Sequence, residues 1–350
     1  MPLPSQQHAL AILTEKGAWG LVSTVVDRPG PGEILVRVES TALNPLDWKV
    51  QKTGYSSMLK EYPAIPGSDS ESAGVVVAVG EAVTNVVTGD RVVHQGFYTN
   101  RLATFKQYTI VDADIAAKIP DNLTFDQAAT VPVGLTTATI GLYHETGGAN
   151  LVAPWLEGGR GKYSGRPIVI FGGQFVIESA KLSGFSPIIV TTSSRNNDLV
   201  KSLEATHTID RNLSAEEIQS AVKKITSDPI NVVYDAISLE STQTVAYDIL
   251  SPGGTLVNVL APLIPESKRT EDKKVISAYG SVHAELNRKF GQGLYSSLTG
   301  LLESGDFTPN PVEVLPGGLA GIVDGLERLE NDQVSGRKLI GRPQETVPPI

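Results

Sequence analysis

Hydrophobic and polar positions change their spacing along the chain, and the change near Pro120 predicts two kinds of structure. Before Pro120, apolar residues alternate with polar ones in Glu33–Glu39 and form a short run between glycines in Gly74–Gly80, as is typical of β-strands. Gly89–Val93 and Gln107–Val111 have the same character. The sequence therefore predicts a first third that is all-β.

After Pro120 helical spacing begins, and from Pro167 strand-like apolar runs alternate with helical segments. This alternation predicts a parallel sheet with helices on both faces, so the predicted fold class is α/β. The predicted strands are Ile168–Phe171, Pro187–Thr191, Thr206–Ile209, Asn231–Asp235, Gly254–Leu260, Val275–Tyr279 and Lys338–Arg342. The predicted helices are Phe125–Ala129, Leu135–Tyr143, Gln174–Ser183, Asp198–Leu203, Ala215–Ile225, Ser241–Leu250, Leu286–Glu303 and Gly318–Leu329.

The strand Ile168–Phe171 is followed at once by Gly172 and Gly173 and then by a helix. A strand, a tight glycine turn and a helix together point a helix N-terminus at the pyrophosphate of a dinucleotide. Glycines also follow strands for reasons of turn geometry alone. Because the turn lies in the alternating region, we predict that Gly172 and Gly173 bind a dinucleotide cofactor.

The next predicted strand ends in Thr191-Thr192 and is followed by Ser193, Ser194 and Arg195, without an acidic residue. An Asp or Glu near this tip accepts hydrogen bonds from the ribose of NAD, whereas hydroxyls and a guanidinium suit a 2′-phosphate. Arg211, just after the third strand, is a second candidate for that phosphate. The alternative is a polar loop with solvated arginines. We also assign Leu260, at the end of its predicted strand, to the cofactor-binding residues.

Composition and charge exclude several classes of protein. The 350 residues suffice for two domains, and a net charge of -9 argues against nucleic-acid or anionic-membrane partners. The absence of cysteine excludes disulfides and thiolate metal ligands. No apolar run approaches a membrane span, and the N-terminus resembles no signal or transit peptide. We therefore expect a cytoplasmic protein.

For two further segments, the residues alone predict ordinary structural features. Asn44-Pro45-Leu46-Asp47-Trp48-Lys49 reads as an Asn-Pro turn with an exposed ion pair. The glycine-rich stretch Gly147–Gly165 has no periodicity and is predicted to be a long loop. Loops of that length are often functional, and this one could shape a substrate cleft.

Eight segments, in this order and spacing, carry a family resemblance: Ala42–Lys49, Ile65–Asp69, Ala73–Gly80, Gly89–Val92, Phe125–Ala129, Leu135–Ala138, Val233–Ile237 and Ser335–Leu339. With them the chain resembles the medium-chain dehydrogenase/reductase superfamily over essentially its whole length. It is most similar to the zinc-independent branch of quinone oxidoreductases and fungal trans-acting enoyl reductases, including toxin-biosynthesis homologues.

The resemblance implies a chaperonin-10-like (GroES-like) β domain and a Rossmann doubly wound parallel-sheet domain. We place the first at residues 1–126 and 308–350 and the second at residues 127–307, with the active site in the cleft between them. It also implies an oxidoreductase that transfers hydride from NADPH to a conjugated carbonyl compound or a quinone. A biosynthetic synthase is a possible partner, and a monomer or a homodimer is expected.

The resemblance also assigns residues to roles. Asn44, Asp47 and Lys49 match the segment that lines the nicotinamide cleft, and Lys49 could polarise the carbonyl or relay a proton. Tyr55 and water are alternatives as the proton donor. Thr137 and Lys338 match residues near the nicotinamide end of the cofactor. The Gly-His-Glu of the zinc-dependent branch is replaced here, so no metal is expected.

The turn after Phe171 departs from the family pattern. Family members usually read Gly-Gly-Ser-Ser-Ser-Val-Gly-Gln, where this chain reads Gly172-Gly173-Gln174. The missing residues normally wrap the pyrophosphate with backbone N–H groups. This departure keeps a second hypothesis open, a reductase-fold protein that binds cofactor poorly and acts as a scaffold or partner in a biosynthetic complex.

Overall fold

The computed structural model describes residues 3–53, 59, 61–67 and 71–347. Within them the strands are β1 (Gln6–Ile12), β2 (Trp19–Val25), β3 (Glu33–Ala42), β4 (Glu71–Val79), β5 (Arg91–Gln95), β6 (Tyr108–Asp112), β7 (Ala116–Lys118), β8 (Ile168–Phe171), β9 (Ile188–Thr192), β10 (His207–Asp210), β11 (Val232–Asp235), β12 (Thr255–Asn258), β13 (Lys274–Ser277), β14 (Val312–Val314) and β15 (Lys338–Gly341). The α-helices are α1 (Pro45–Thr53), α2 (Phe125–Ala128), α3 (Pro132–Tyr143), α4 (Gln174–Leu182), α5 (Asn197–Ser202), α6 (Ala215–Ile225), α7 (Glu240–Ile249), α8 (Glu285–Glu303) and α9 (Ile322–Glu330). No helix among these residues is long and apolar enough to cross a bilayer.

The first compact unit comprises residues 1–133 and 281–350. Its main sheet has the order β14-β15-β3-β4-β5-β7, with β6 paired to β3, and β1 and β2 form a separate antiparallel pair. The predicted β-character of this region is confirmed, although α1 interrupts it. The domain limits drawn from the sequence stay a prediction, and the compact units place residues 127–133 and 281–307 with the first unit.

The second compact unit, residues 134–280, is built on a parallel sheet of order β10-β9-β8-β11-β12-β13. In chain order within the unit this is 3-2-1-4-5-6, the order of a dinucleotide-binding Rossmann sheet. Each neighbouring pair of strands is parallel. The order reverses between β8 and β11, and the carboxyl ends of strands at such a reversal are where ligands bind. The predicted α/β class is therefore confirmed, and the reversal marks the edge to inspect.

The segment 147–165 is a loop, as predicted, and it packs against the C-terminal end of α4. The Gly161 N–H donates to Leu182 O at 2.9 Å, and the Tyr163 N–H donates to Ser183 O at 2.8 Å. The Tyr163 ring stacks on Phe185 with centroids 5.1 Å apart. Since α4 begins at the carboxyl end of β8, these contacts hold the loop near the opposite edge of the sheet. Within this unit the contacts indicate a structural role for the loop.

We expect Tyr163→Phe to lower the free energy of unfolding by about 1 kcal/mol. The Tyr163 hydroxyl accepts the Val152 N–H at 2.7 Å, and removing the hydroxyl leaves this N–H unpaired. Urea unfolding followed by circular dichroism measures the change. Tyr108→Phe is the control, since Tyr108 is only half-buried and no described residue bonds its hydroxyl. Equal stabilities for the two variants would contradict the structural role of the loop.

Two element ends differ from the prediction for physical reasons. The strand predicted as Gly254–Leu260 stops at Asn258, since its pairing with β13 ends at Asn258 opposite Ser277. The helix predicted from Gly318 starts at Ile322, because Gly317 and Gly318 have positive φ angles of 87° and 62°, which a right-handed helix does not contain.

Candidate active site

The turn after β8 contains only Gly172 and Gly173, and α4 begins at the next residue, Gln174. Both glycines have positive φ, 69° and 85°. A Cβ atom on Gly173 would lie 3.1 Å from the Cβ of Ala236, tighter than most contacts allow. The turn therefore requires glycine for its conformation and for the close approach of the loop after β11.

The short turn does not disturb the elements around it. The Gly172 N–H donates to Thr191 O at 3.3 Å, and the Ala236 N–H donates to Phe171 O at 3.0 Å. Phe175, Ile177 and Ala180 of α4 are buried. Gly173 occupies the N-cap without a capping side chain. The strand and helix thus form as expected from their apolar faces, and the N-terminus of α4 lies at the strand-order reversal.

The residues proposed for a 2′-phosphate lie at the same edge, on β9 and β10. Asp210 pairs with Thr192, and the Arg211 N–H donates to Thr192 O at 3.0 Å. Ser194 and the guanidinium-bearing Arg195 and Arg211 are exposed, and Ser193 is half-buried. Neither guanidinium bonds another residue in the described part of the chain. The ends of β9 and β10 therefore offer two exposed guanidinium groups and two hydroxyls, a donor set that fits a phosphate dianion. The exposed Asp210 carboxylate at the end of β10 accepts the Asn212 N–H at 2.9 Å.

Thr137 and Leu260 belong to the second unit as well. Thr137 is half-buried in α3, and its carbonyl accepts the Tyr234 hydroxyl at 2.8 Å. A Cβ on Gly280 would collide with the Thr137 side chain, so the chain after β13 passes close to this threonine. Leu260 is exposed two residues beyond β12, and its carbonyl accepts the Ser277 hydroxyl. The carboxyl ends of β12 and β13 thus place both residues along the proposed edge.

Asp235, at the end of β11, organises this edge and was not predicted as a site residue. Its buried carboxylate accepts the N–H groups of Ile237 and Ser238, both at 2.9 Å, and the Thr242 hydroxyl at 2.6 Å. Burial raises its pKa above the ordinary value of a carboxyl group. Ser238 has a φ of 58°, and its hydroxyl accepts the Val259 N–H at 2.8 Å. The network fixes the loops that follow β11 and β12. The signal available in the sequence was an acid at the end of a predicted apolar strand.

In the first unit, the prediction that residues 44–49 form a turn with an exposed ion pair is wrong. Helix α1 begins at Pro45, a residue well suited to the first helical position. Asp47 is 1% exposed, and its carboxylate accepts the Asn44 N–H at 2.8 Å. The half-buried Lys49 instead lies beside Trp48, with its Nζ 5.6 Å from the ring centroid. The Asp47 carboxylate therefore caps the N-terminus of α1, whereas the sequence pattern had predicted an ion pair with Lys49.

Asn44 and Lys338 meet at Glu71, the first residue of β4. The Lys338 Nζ lies 2.7 Å from a Glu71 carboxylate oxygen and donates to the Asn44 side-chain oxygen at 2.5 Å. The Asn44 amide donates to the same Glu71 oxygen at 3.3 Å. The other Glu71 oxygen accepts the Val133 N–H at the start of α3. Two predicted site residues are therefore brought together by an acid that the sequence reasoning missed, because the predicted strand began only at Gly74.

Tyr55, the other predicted proton donor, lies outside the described residues. Within them, no group of three or more His, Cys, Asp or Glu side chains is placed to hold a metal ion. The absence of cysteine from the whole chain independently excludes thiolate ligands. The predicted lack of a metal therefore remains a prediction for experiment.

Family models match two stretches of the chain. The alcohol dehydrogenase GroES-like domain matches residues 30–121, and a domain described as zinc-binding dehydrogenase matches residues 173–286. Among curated relatives, the trans-enoyl reductase himH of Aspergillus japonicus is 31% identical over 88% of this chain and 89% of its own length. The enoyl reductase component lovC of the lovastatin nonaketide synthase of Aspergillus terreus is 30% identical, covering 89% of both chains.

A solved structure shares the fold. The quinone oxidoreductase of Pseudomonas syringae superposes with a TM-score of 0.75 at 23% identity, and the match covers 95% of this chain and 99% of that one. The likeness to the structure concerns the fold alone. The two curated relatives match closely enough, over enough of their length, to establish common membership of a family.

Proposed function

We propose that this chain, which belongs to the medium-chain dehydrogenase/reductase superfamily, is an NADPH-dependent reductase of enoyl compounds or quinones that works without zinc. Relatives named as enoyl reductases, matched over nearly 90% of the chain, support the reaction class. Among the observations on the chain itself, the carboxyl edge of β8 and β9 carries the proposal. There a glycine turn at the strand-order reversal stands beside Ser193-Ser194-Arg195, a segment without an acid, and Arg211 after β10 adds a second exposed guanidinium group.

The residues of this edge fit a dinucleotide in their chemistry. Gly172 and Gly173 would face the pyrophosphate at the N-terminus of α4, where the helix dipole favours an anion. Ser193, Ser194 and Arg195 would hold the 2′-phosphate together with Arg211, through charge-assisted hydrogen bonds. Bound NADPH supplies a hydride. Thr137 and Leu260 would contact the cofactor along the same edge.

The first unit would serve the substrate side of the reaction. Lys49 carries an ammonium group that can stabilise the negative charge developing on a carbonyl oxygen. Asn44 adds an amide, and Asp47 fixes the N-terminal turn of α1. Lys338 would bring a second ammonium to the nicotinamide end of the cofactor. Tyr55 or water remain the alternative proton donors. The substrate class that these groups suit is an α,β-unsaturated carbonyl compound or a quinone.

The alternative, a reductase-fold scaffold impaired in cofactor binding, is not favoured. The short turn that motivated it keeps both glycines in the left-handed region and starts α4 directly at the strand end. A synthase partner, a cytoplasmic location and a monomeric or homodimeric state belong to the proposal. The name of lovC assigns that relative to a synthase, which is why we include a synthase among the candidate partners.

Turnover with a substrate panel tests the proposed function. We expect NADPH to be oxidised in the presence of an enoyl thioester, an enone or a quinone, and NADH to be used less efficiently. The control is the same panel with boiled protein. Failure of every conjugated substrate and quinone, by a folded protein that binds NADPH, would contradict the proposed reaction.

We expect the purified protein to hold no stoichiometric zinc and its turnover to survive dialysis against a chelator. The reason is the lack of cysteine together with the absence of a ligand cluster in the described ranges. Elemental analysis before and after dialysis measures this. One equivalent of zinc retained after dialysis would sink the zinc-free assignment.

A further inference from the structure

Glu71 has a buried carboxylate to which the proposed mechanism assigns no role. It is 0% exposed, and it accepts hydrogen bonds from Lys338, Asn44 and the Val133 N–H. Burying a charge without partners is strongly unfavourable, so a buried carboxylate is kept only where it is paired and hydrogen-bonded. Here both oxygens are engaged, one by side chains and one by backbone.

The three side chains form a closed triangle. Lys338 donates to Asn44 and to Glu71, and Asn44 donates to Glu71. Each side chain is therefore held by two others, which fixes its rotamer more firmly than a single bond does. The residues come from β15, the N-terminal end of α1 and β4, so the triangle also fixes three elements at one point.

The Lys338 ammonium has three N–H donors, and the triangle uses two of them. No other described residue accepts the third. The Lys338 side chain is 16% exposed, in contrast to the fully buried Glu71. Lys338 is thus a cation held in place by Glu71 and Asn44, with one donor remaining for a ligand oxygen.

We propose that Glu71 is a positioning residue for the reduction: it holds the Lys338 ammonium and the Asn44 amide in one arrangement, so that the remaining Lys338 N–H is presented to the reacting molecules. This proposal rests on the proposed function and adds a residue to it. Glu71 acts through Lys338 and Asn44 and needs no contact with substrate. Catalytic groups held within a fraction of an ångström gain rate from that placement.

Glu71→Gln is the informative substitution. The glutamine keeps the shape but replaces one acceptor oxygen by an NH₂ group, which meets either the Lys338 ammonium or the Val133 N–H, both of them donors. The glutamine can then accept a hydrogen bond at only one of the two positions that the carboxylate oxygens occupied. Glu71→Asp keeps the charge and shortens the side chain by one methylene, and it carries the test if the glutamine variant does not fold.

Asp90→Asn is the matched control. Asp90 also accepts one ammonium, from Lys118 at 2.8 Å, and one backbone N–H, from Val87 at 2.8 Å. That pair is more exposed, with 48% of the Lys118 side chain accessible. If the loss of any ion pair in the first unit lowered the rate, both variants would be slow. If Glu71 positions Lys338 and Asn44, only the Glu71 variant is slow.

The first readout is kinetic and is expressed per folded molecule. We expect Glu71→Gln to lower kcat at least about 30-fold, about 2 kcal/mol of activation free energy, with NADPH affinity changed less than about fivefold. The primary isotope effect with NADPH deuterated at the transferred position should rise, and Glu71→Asp should restore part of the rate. Asp90→Asn should stay within about twofold of the parent. A fall in kcat smaller than about 30-fold in Glu71→Gln would overturn the proposal.

The second readout does not require turnover. Acylation of lysines by a succinimidyl ester, followed by mass spectrometry, reports the freedom of each ammonium. We expect Lys338 to react at least about tenfold faster in Glu71→Gln, while Asp90→Asn accelerates only Lys118. An unchanged Lys338 rate would overturn the proposal whether or not the parent is active. Inactivity of the parent with every substrate, together with a faster Lys338, would instead count against the proposed function alone.

Discussion

Inserting Ser-Ser-Ser-Val-Gly between Gly173 and Gln174 should raise the affinity for NADPH by a factor on the order of a hundred or more. The family pattern has these residues, and their N–H groups wrap the pyrophosphate. Each charge-assisted N–H bond contributes roughly 1.5–3 kcal/mol, and two such bonds account for the factor. The melting temperature of the cofactor-free protein should change little, because β8 and α4 are held by buried apolar faces.

The control for this insertion is Ser-Ser-Pro-Val-Pro at the same place. It lengthens the turn equally but removes two N–H donors, since proline has none. Isothermal titration with NADPH should show the gain for the first insertion and little gain for the second. If the parent already binds NADPH at low micromolar concentration and the first insertion changes nothing, the short turn is not a defect.

Arg195→Ala should weaken NADPH more than NADH, by about 1–3 kcal/mol. The expected cause is loss of a charge-assisted bond to the 2′-phosphate, which NADH lacks. Arg195 is exposed at the tip of β9, and no described residue competes for its guanidinium. Titration of both cofactors measures the difference directly.

Lys201→Ala controls for the general loss of a positive charge in the second unit. Lys201 is an exposed residue near the end of α5. Its substitution should change the affinities for NADPH and NADH slightly and to the same extent. Arg195→Lys should fall between parent and alanine, because a lysine keeps the charge but not the fork of donors. Equal affinity of the parent for NADPH and NADH would contradict the role of Arg195.

The second unit was the more predictable part of the fold, because local signals agree with the tertiary structure there. Ala215–Ile225 was predicted with its observed bounds, and Ser214 and Glu217 form the capping box that starts it. Ile168–Phe171 is likewise a strand with the predicted bounds. Buried parallel strands show as continuous apolar runs, so periodicity and glycine suffice to find them.

The first unit was less predictable because its key polar residues are satisfied by distant parts of the chain. Lys338 and Glu71 are far apart in sequence, and no local pattern pairs them. Asp47 was assigned to an ion pair with Lys49, whereas its carboxylate caps α1. The positions of Asn44 and Lys338 in a site came from the family resemblance, and their mutual contact became evident only in three dimensions.

The edge of β8 and β9 shows a similar limit. The sequence identified the glycines and the acid-free tip, since both are local patterns. Asp235 was missed as an organising residue because its partners, Ile237, Ser238 and Thr242, are recognisable only from the geometry of the loop. Burial of a carboxylate cannot be read from its own residue type.

Titration of the unmodified protein with NADPH and with NADH tests the central claim most directly. The account predicts saturable binding of one NADPH per chain, tighter than NADH by about tenfold or more, as one lost charge-assisted bond implies. Absence of saturable NADPH binding at millimolar concentration, by protein shown to be folded, would contradict the assignment as an NADPH-dependent reductase.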